Sequence, residues 1–75
     1  MSKLKKLSGK ELIKILCNKL GFKSIRQKGS YVLLIKECPQ KVGCVVPLHK
    51  ELKMGTIKSI LRQAKLDEEE LIRFL

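Results

Sequence analysis

The stretch YVLLIKE, residues 31–37, constrains the fold more than any other part of the sequence. It is rich in β-branched and apolar residues, and it is too short for a typical helix. The backbone groups of such a strand need partner strands, because buried N–H and C=O groups must be hydrogen-bonded. We therefore predict that it is the central strand of a sheet and is covered largely on one face.

The segments on either side of this strand are predicted to pair with it. Residues 22–27, FKSIRQ, alternate imperfectly between apolar and polar positions and predict a first strand, which the turn sequence KGS follows. Residues 38–43 contain Pro39 and Gly43 and indicate a connection. Residues 44–47, CVVP, predict a third strand that its proline ends. The three strands are expected to form an antiparallel sheet.

Helical patterns lie on both sides of the strands. Ser8 and Glu11 match a capping box, and Gly21 is a natural residue just beyond a helix end because it adopts positive φ readily. Between them, apolar residues recur at helical spacing: Leu12, Ile13, Leu16 and Leu20. A first helix is therefore predicted over residues 9–20.

Two further helices are predicted near the C-terminus. Residues 48–55 indicate a polar link, and Thr56 is predicted to cap the second helix. The strongest helical repeat of the chain consists of Ile57, Ile60, Leu61 and Ala64. Asp67 and Glu70 match a second capping box, which predicts a short last helix. The apolar residues expected to pack this helix down are Leu71, Phe74 and Leu75.

The order of these elements predicts an α+β fold. It reads α-β-β-β-α with a short extra C-terminal helix, which corresponds to a two-layer sandwich with the helices on one face of the sheet. The 75 residues leave room for a single domain, 1–75, with a modest core.

The cysteines and the hydropathy pattern predict a cytoplasmic chain with reduced thiols. The odd number of cysteines includes no CxxC pair, and no segment reaches the roughly 18 apolar residues of a membrane span. Cys17 is expected to be a small core residue. A bridge between Cys38 and Cys44 across a hairpin is the alternative to free thiols.

The charge is strongly asymmetric. The chain has 17 Lys/Arg and 7 Asp/Glu, a net charge of +10, and four of the acids form the run DEEE at residues 67–70. Residues 1–66 therefore hold sixteen bases and three acids, a net charge of +13. This balance favours a polyanionic partner, nucleic acid first, although solubility alone is also an explanation. A basic stripe on the second helix is either a solvated face or a phosphate contact: Lys58, Arg62 and Lys65.

Few groups in the sequence predict chemistry. There is no P-loop, no GxGxxG and no metal-ligand cluster, so no cofactor and no metal are expected. Three aromatic residues cannot form a base-stacking platform. His49 is the only histidine, and imidazole is the side chain whose unperturbed pKa suits proton transfer near pH 7. A lone histidine in a loop is nevertheless more often incidental than catalytic.

Two stretches, which together with the opening helix cover nearly the whole chain, resemble the HicA family of toxins, the small ribonuclease halves of HicAB toxin–antitoxin modules. They are LGFKSIRQKGSY, residues 20–31, and VVPLHKELKMGTIKSILRQAKL, residues 45–66. The positions that follow the family pattern are Pro47, His49, Gly55, Thr56 and the ILRQA run. The family resembles the double-stranded RNA-binding domain in fold, which agrees with the order of elements predicted above.

The resemblance implies a catalytic turn at residues 29–31. The family has Gly-Ser-His there, and that histidine is catalytic in mRNA cleavage, whereas this chain has Tyr31. A phenol with an unperturbed pKa of about 10 is a poor general base at pH 7, but it donates hydrogen bonds and stacks on bases. The catalytic candidates are therefore Tyr31 and His49, with Lys28 or Lys50 supplying positive charge. The candidate RNA-binding residues are Arg26, Lys28, Ser30, Lys50, Lys58 and Arg62.

Three functions remain open from the sequence. The first is an mRNA endoribonuclease neutralised by a HicB-like antitoxin, which the resemblance favours. The second is a non-catalytic RNA-binding module of the same fold, which Tyr31 favours. The third is a protein-interaction role, in which the basic face meets an acidic antitoxin-like partner. The first and the third are compatible, and none of them involves a membrane.

Overall fold

The part of the chain that the structure describes, residues 7–38 and 40–75 of a computed structural model, forms three helices and three strands. They are α1 (Gly9–Lys19), β1 (Lys23–Lys28), β2 (Tyr31–Lys36), β3 (Val42–Pro47), α2 (Met54–Gln63) and α3 (Glu68–Ile72). The predicted α-β-β-β-α order with a short last helix is confirmed. Pro39, one of the residues that indicated the connection between β2 and β3, lies outside the described residues.

The sheet is antiparallel and has the order β1-β2-β3, so the YVLLIKE strand is central as predicted. The pairing of Lys28 with Tyr31 leaves Gly29 and Ser30 as a two-residue turn between β1 and β2. Gly29 has a φ of 57°. A glycine with positive φ at the first central position is the requirement of a type II′ turn, whose twist matches that of the flanking strands.

The two faces of the sheet differ sharply in burial. Alternate residues of β2 and β3 point toward the helices and are at most 5% exposed: Val32, Leu34, Cys44 and Val46. The opposite face carries Tyr31, which is 54% exposed, and Val45, which is 39% exposed. Helix α1 contacts β1 and β3, and α2 contacts β3. The fold is therefore an α+β arrangement with the helices on one face of a small open sheet.

The outer strands differ from the sequence prediction. β1 starts at Lys23, because Phe22 enters the core at 2% exposure, whereas Ile25 is 56% exposed. The pairing of β1 with β2 shifts between Ser24 and Arg26, and this bulge turns Ile25 away from the core. β3 begins at Val42, two residues earlier than predicted, because its ladder with β2 continues to the end of that strand.

The predicted capping box at the start of α1 is confirmed. The Ser8 N–H donates to Glu11 Oε1 over 3.0 Å, and the Glu11 N–H donates to Ser8 Oγ over 3.1 Å. The bond from the Ser8 N–H, together with the Ser8 hydroxyl, favours the ionised carboxylate and holds the pKa of Glu11 below its usual value. The helix ends at Lys19, and Gly21 follows with a φ of 79°.

The predicted start of α2 at Thr56 is wrong. The helix begins at Met54 with Lys53 as its N-cap residue, and the Lys53 side chain makes no capping hydrogen bond. The link before it is not wholly polar, because Leu52 is 3% exposed and its N–H donates to the Leu7 carbonyl over 2.7 Å. This tertiary contact fixes the chain just before the helix and allows the helix to start three residues earlier than a cap at Thr56 would give.

The last helix is confirmed, but its packing is only partly as predicted. The Asp67 N–H donates to Glu70 Oε1 over 3.2 Å, as a capping box requires. Leu71 is fully buried, whereas Phe74 is 39% exposed and Leu75 is 36% exposed. Because α3 has only five residues, it presents little more than one turn to the core, and the two residues at the chain end lie beyond it.

The cysteines are free thiols, so the bridge between Cys38 and Cys44 does not form in this structure. Cys44 is 1% exposed, and its burial raises the pKa of the thiol to about 11. Cys17 is half-buried and packs against the core, whereas Cys38 is exposed. Across the described residues, no helix has both the length and the hydrophobicity that crossing a membrane requires.

Gly9 lies in close backbone contact with the segment after β3. Its N–H donates to the His49 carbonyl over 2.8 Å at the start of α1. A Cβ atom at this position would lie within 3 Å of backbone atoms of Pro47 and Leu48. Backbone atoms cannot swing aside as a side chain can, so the segment after β3 lies against α1 only because residue 9 has no side chain.

Replacing Gly9 by alanine should therefore destabilise the protein. Alanine is normally favoured over glycine in a helix, but the collision with the backbone should outweigh that gain and cost about 1–3 kcal/mol. Gly55 is a matched control, since it also lies in the first turn of a helix and a Cβ atom added there would meet nothing within 4 Å. Gly55→Ala should stabilise by about 0.4–1 kcal/mol. Urea denaturation measures both, and equal effects of the two substitutions would contradict the packing argument.

Candidate functional site

An open groove of about 450 Å³ runs between strand β3 and helix α2. It lies at the end of the sheet where the turn between β1 and β2 meets the end of β3. Its lining residues are Tyr31, Val45, Pro47, His49, Gly55, Thr56, Ser59, Ile60 and Gln63. The volume is within the range of small-molecule sites, and the lining includes both Tyr31 and His49, so this groove is the candidate functional site.

Tyr31 reaches the groove from the first position of β2. The type II′ turn ends immediately before it, and the register places Tyr31 opposite Lys28 on one side and Pro47 on the other. Residues directly opposite in an antiparallel pair share a face of the sheet, so Tyr31 lies between these two residues on the open face. With 54% of its surface exposed, the phenol is accessible to a ligand.

His49 lies two residues beyond Pro47, and backbone hydrogen bonds determine its position. The Leu48 N–H donates to the Ser30 carbonyl over 2.6 Å, which joins this segment to the turn before Tyr31. The His49 carbonyl accepts from Gly9 at the start of α1, and the His49 side chain is exposed. The structure thus brings the two catalytic candidates, Tyr31 and His49, into the lining of one groove.

Four of the predicted RNA-binding residues lie around the same end of the sheet. Lys28 is exposed beside Tyr31, and Arg26 is two residues away on the same face of β1. Ser30 is exposed in the turn, and Lys50 is exposed next to His49. Positive charge thus lies next to two lining residues, with Lys28 opposite Tyr31 and Lys50 adjacent to His49, but no lysine or arginine is itself among the lining residues.

The remaining two RNA-binding candidates lie elsewhere. Lys58 and Arg62 are exposed on α2, as predicted, but neither lines the groove. The third residue of the predicted stripe, Lys65, is not on the helix, because α2 ends at Gln63 and Lys65 has a positive φ of 56°. Lys58 and Arg62 are one helical turn apart and face solvent on a different side of the helix from Ser59 and Gln63. Contacts of this stripe with a ligand in the groove would require that the ligand extend around α2.

The sequence prediction missed the polar side of α2 that lines the groove. Thr56, Ser59 and Gln63 recur at i, i+3 and i+7, which places them on one side of the helix. Gln63 Oε1 accepts a hydrogen bond from the Val45 N–H over 3.1 Å. That N–H belongs to an edge strand and points away from β2, so Gln63 satisfies a backbone group that would otherwise be unpaired. The spacing of these uncharged polar residues in the sequence is the signal from which this side of α2 could have been predicted.

The groove combines hydrogen-bond donors with one group suited to proton transfer. The phenol of Tyr31, the hydroxyls of Thr56 and Ser59 and the amide of Gln63 are neutral donors. Imidazole is the side-chain group that most often acts as a general acid or base, and His49 supplies it among the lining residues. Among the residues described, no group of three or more His, Cys, Asp or Glu residues is arranged to hold a metal ion. This set suits the binding of a polyanion with neutral bases or sugars.

Comparison with protein families matches residues 9–66 to the family described as HicA toxin of bacterial toxin–antitoxin. The matched residues extend from the start of α1 to just beyond α2 and include every residue that lines the groove. Searches of curated proteins and of solved structures gave no match. Since the match covers more than half of the 75 residues, the chain belongs to the HicA family of toxins from bacterial toxin–antitoxin modules.

Proposed function

We propose that this HicA-family toxin binds RNA in the groove between β3 and α2 and acts there as an mRNA endoribonuclease of low activity. The observation that carries the proposal is the meeting of Tyr31 and His49 in one groove, with Lys28 directly opposite Tyr31. The family match supports the role of a toxin. RNA as the target follows from the charge and from the chemistry of the groove.

The distribution of charge supports RNA as the ligand. Residues 1–66 carry sixteen bases and three acids, and Lys28, Arg26 and Lys50 are exposed around the groove. Lysine and arginine side chains in such positions replace the counterions of phosphate groups, and this replacement supplies much of the affinity for nucleic acid. The neutral lining of the groove suits the sugar and base of a nucleotide whose phosphates lie near those charges.

Cleavage of RNA without a metal needs a base and a stabilising charge. The base takes the proton of a 2′-hydroxyl, the 2′-oxygen attacks the neighbouring phosphorus, and the 5′-oxygen leaves with a proton from an acid. In this groove His49 is the proposed base, and Lys28 or Lys50 stabilises the charge that develops on the phosphate. By the family resemblance, Tyr31 occupies the position of the catalytic histidine, where it donates a hydrogen bond but is a poor base.

A non-catalytic RNA-binding module is the second candidate function. The observation that favours it is the identity of residue 31, because a tyrosine there removes the imidazole that the family resemblance leads one to expect. Binding would depend on charges spread over β1 and the segment after β3, and none of these is lost with that imidazole. The two candidates differ in turnover and share the same binding surface.

A HicB-like antitoxin is the proposed protein partner. A toxin of a toxin–antitoxin module is controlled by its cognate antitoxin, and the most direct way to block this groove is to cover it. The surface proposed to be buried carries Tyr31, Lys28 and His49. Because this surface is basic, an acidic partner should associate with it rapidly at low salt.

Binding to single-stranded RNA should weaken as salt increases. Each phosphate neutralised contributes about −0.7 to the slope of log K against log salt. Lys28→Gln should therefore weaken the binding and make the slope shallower by about 0.7. Fluorescence anisotropy with labelled RNA at several salt concentrations measures the slope. Lys41→Gln is the control, because Lys41 is exposed at the opposite end of the sheet. Weak binding that is flat with salt would contradict the proposal.

Cleavage by the wild-type protein should be slow or absent, and Tyr31→His should increase it. Restoring one acid/base group is worth roughly 10²–10⁴ in rate. Single-turnover cleavage of a labelled RNA at saturating protein measures the chemical step separately from binding. Tyr31→Phe is the matched control, because it keeps the ring and should produce no gain.

The double variant Tyr31→His/His49→Ala separates the roles of the two positions. If His49 supports catalysis, the gain from Tyr31→His should shrink when His49 is removed. A Tyr31→His protein that binds RNA normally but cleaves no faster than wild type would show that the turn is not the active site. A fast wild-type enzyme that His49→Ala inactivates would assign the chemistry to His49 alone.

Charge reversal beside the groove should weaken capture of the antitoxin. Co-expression with the product of the adjacent reading frame, followed by purification through a tag on one partner, tests whether a complex forms. Lys28→Glu combined with Lys50→Glu should reduce the association rate and the yield of complex at physiological salt. Lys41→Glu is the single-charge control at the other end of the sheet and should have little effect. A complex undiminished by the double reversal would place the partner on another surface.

A further inference from the structure

The backbone of β3 holds the amide of Gln63 in one orientation. The Val45 N–H donates to Gln63 Oε1 over 3.1 Å. A backbone N–H only donates, so the amide atom that it contacts must be the oxygen and not the nitrogen. The Nε2 group therefore lies on the other branch of the amide, and Gln63 is among the residues that line the groove. The groove thus contains a neutral donor whose identity is set by the fold.

We infer that Gln63 determines base specificity by donating from Nε2 to O4 of uracil or O6 of guanine in single-stranded RNA. The inference rests on the proposed RNA binding and adds to it the class of base, uracil or guanine. Uracil O4 and guanine O6 are acceptors, whereas cytosine and adenine have amino groups at the corresponding positions. An amino group is a donor, and it cannot pair with Nε2 of an amide whose oxygen is already engaged.

The charge of the groove favours a base, rather than a phosphate, at this position. No Lys, Arg, Asp or Glu of the described chain is among the lining residues, and the exposed lysines near the turn lie outside the groove. Phosphates are expected beside those lysines, whereas a neutral base fits among neutral groups. Tyr31 lines the same groove and is 54% exposed, so its ring is available to stack on a base that Gln63 contacts.

Gln63→Glu tests this inference because it keeps the acceptor of the Val45 N–H and replaces the Nε2 donor with an acceptor. One carboxylate oxygen still accepts from the Val45 N–H, and the other places an acceptor where Nε2 was a donor. The measurement is the ratio of affinities for oligouridylate and oligocytidylate of equal length at one salt concentration. The added negative charge weakens both complexes alike and cancels in the ratio. Wild type should prefer oligouridylate, and the ratio should fall by about tenfold or more in the variant.

Two further variants complete the test. Gln40→Glu adds the same charge at an exposed position at the opposite end of the sheet and should leave the ratio unchanged. Gln63→Ala removes the donor without adding an acceptor and should move the ratio toward one, which keeps the test valid if Gln63→Glu folds poorly. Circular dichroism of each variant checks the fold.

Several outcomes would overturn the inference. A ratio that stays at the wild-type value in both Gln63 variants would limit Gln63 to covering the edge of β3. The same unchanged ratio with loss of antitoxin capture would assign Gln63 to a protein interface. A wild-type protein that binds both oligonucleotides equally would likewise refute it. Absence of binding to either oligonucleotide would be a different failure, because it would remove the proposed RNA binding itself.

Discussion

Three backbone hydrogen bonds hold the segment after β3, and the geometry of the groove depends on them. Leu48 bonds to the turn before β2, His49 to the start of α1, and Leu52 to Leu7. The close approach at Gly9 is part of the same arrangement, because a side chain there would displace the segment. Since these bonds join main-chain atoms, the side chains of Tyr31 and His49 take no part in them. Substitutions at those two positions therefore report on chemistry more directly than on folding.

The need to protect the exposed edges of the sheet accounts for some of the residues in and around the groove. An exposed strand edge is a hazard for aggregation unless it is bent, charged or covered. On the outer edge of β1 the bulge near Ile25 and the basic residues Lys23, Arg26 and Lys28 have this effect. On the outer edge of β3, Pro47 lacks an N–H and Gln63 covers the N–H of Val45. The residues proposed to contact RNA thus also protect the sheet, and the two roles do not conflict.

The sequence predicted the elements well because each is encoded locally. Capping boxes and apolar repeats lie within a few residues of one another, and the turn at Gly29 follows from the conformational freedom of glycine. The errors have tertiary causes: α2 starts early because Leu52 pairs with Leu7, and Ile25 is exposed because β1 carries a bulge. The same division between local and tertiary information applies to the candidate site. Tyr31 and His49 were identified individually, but their meeting depends on strand register, and the contact between Val45 and Gln63 spans 18 residues.

The proposed binding and the proposed turnover are distributed differently over this structure, and that difference bears on how a toxin of this kind evolves. Positive charge is spread over β1, the segment after β3 and the outer side of α2, so losing one charge should remove only a fraction of the proposed affinity for RNA. The proposed proton transfer is assigned to one or two side chains of the groove, and a change at one of them should alter the rate by orders of magnitude. An exchange of imidazole for phenol at residue 31 leaves the turn geometry intact, because Gly29 and Ser30 and not the side chain of residue 31 form that turn. A fold built in this way would permit activity to be tuned at a single position while the surface proposed to bind RNA and antitoxin is retained.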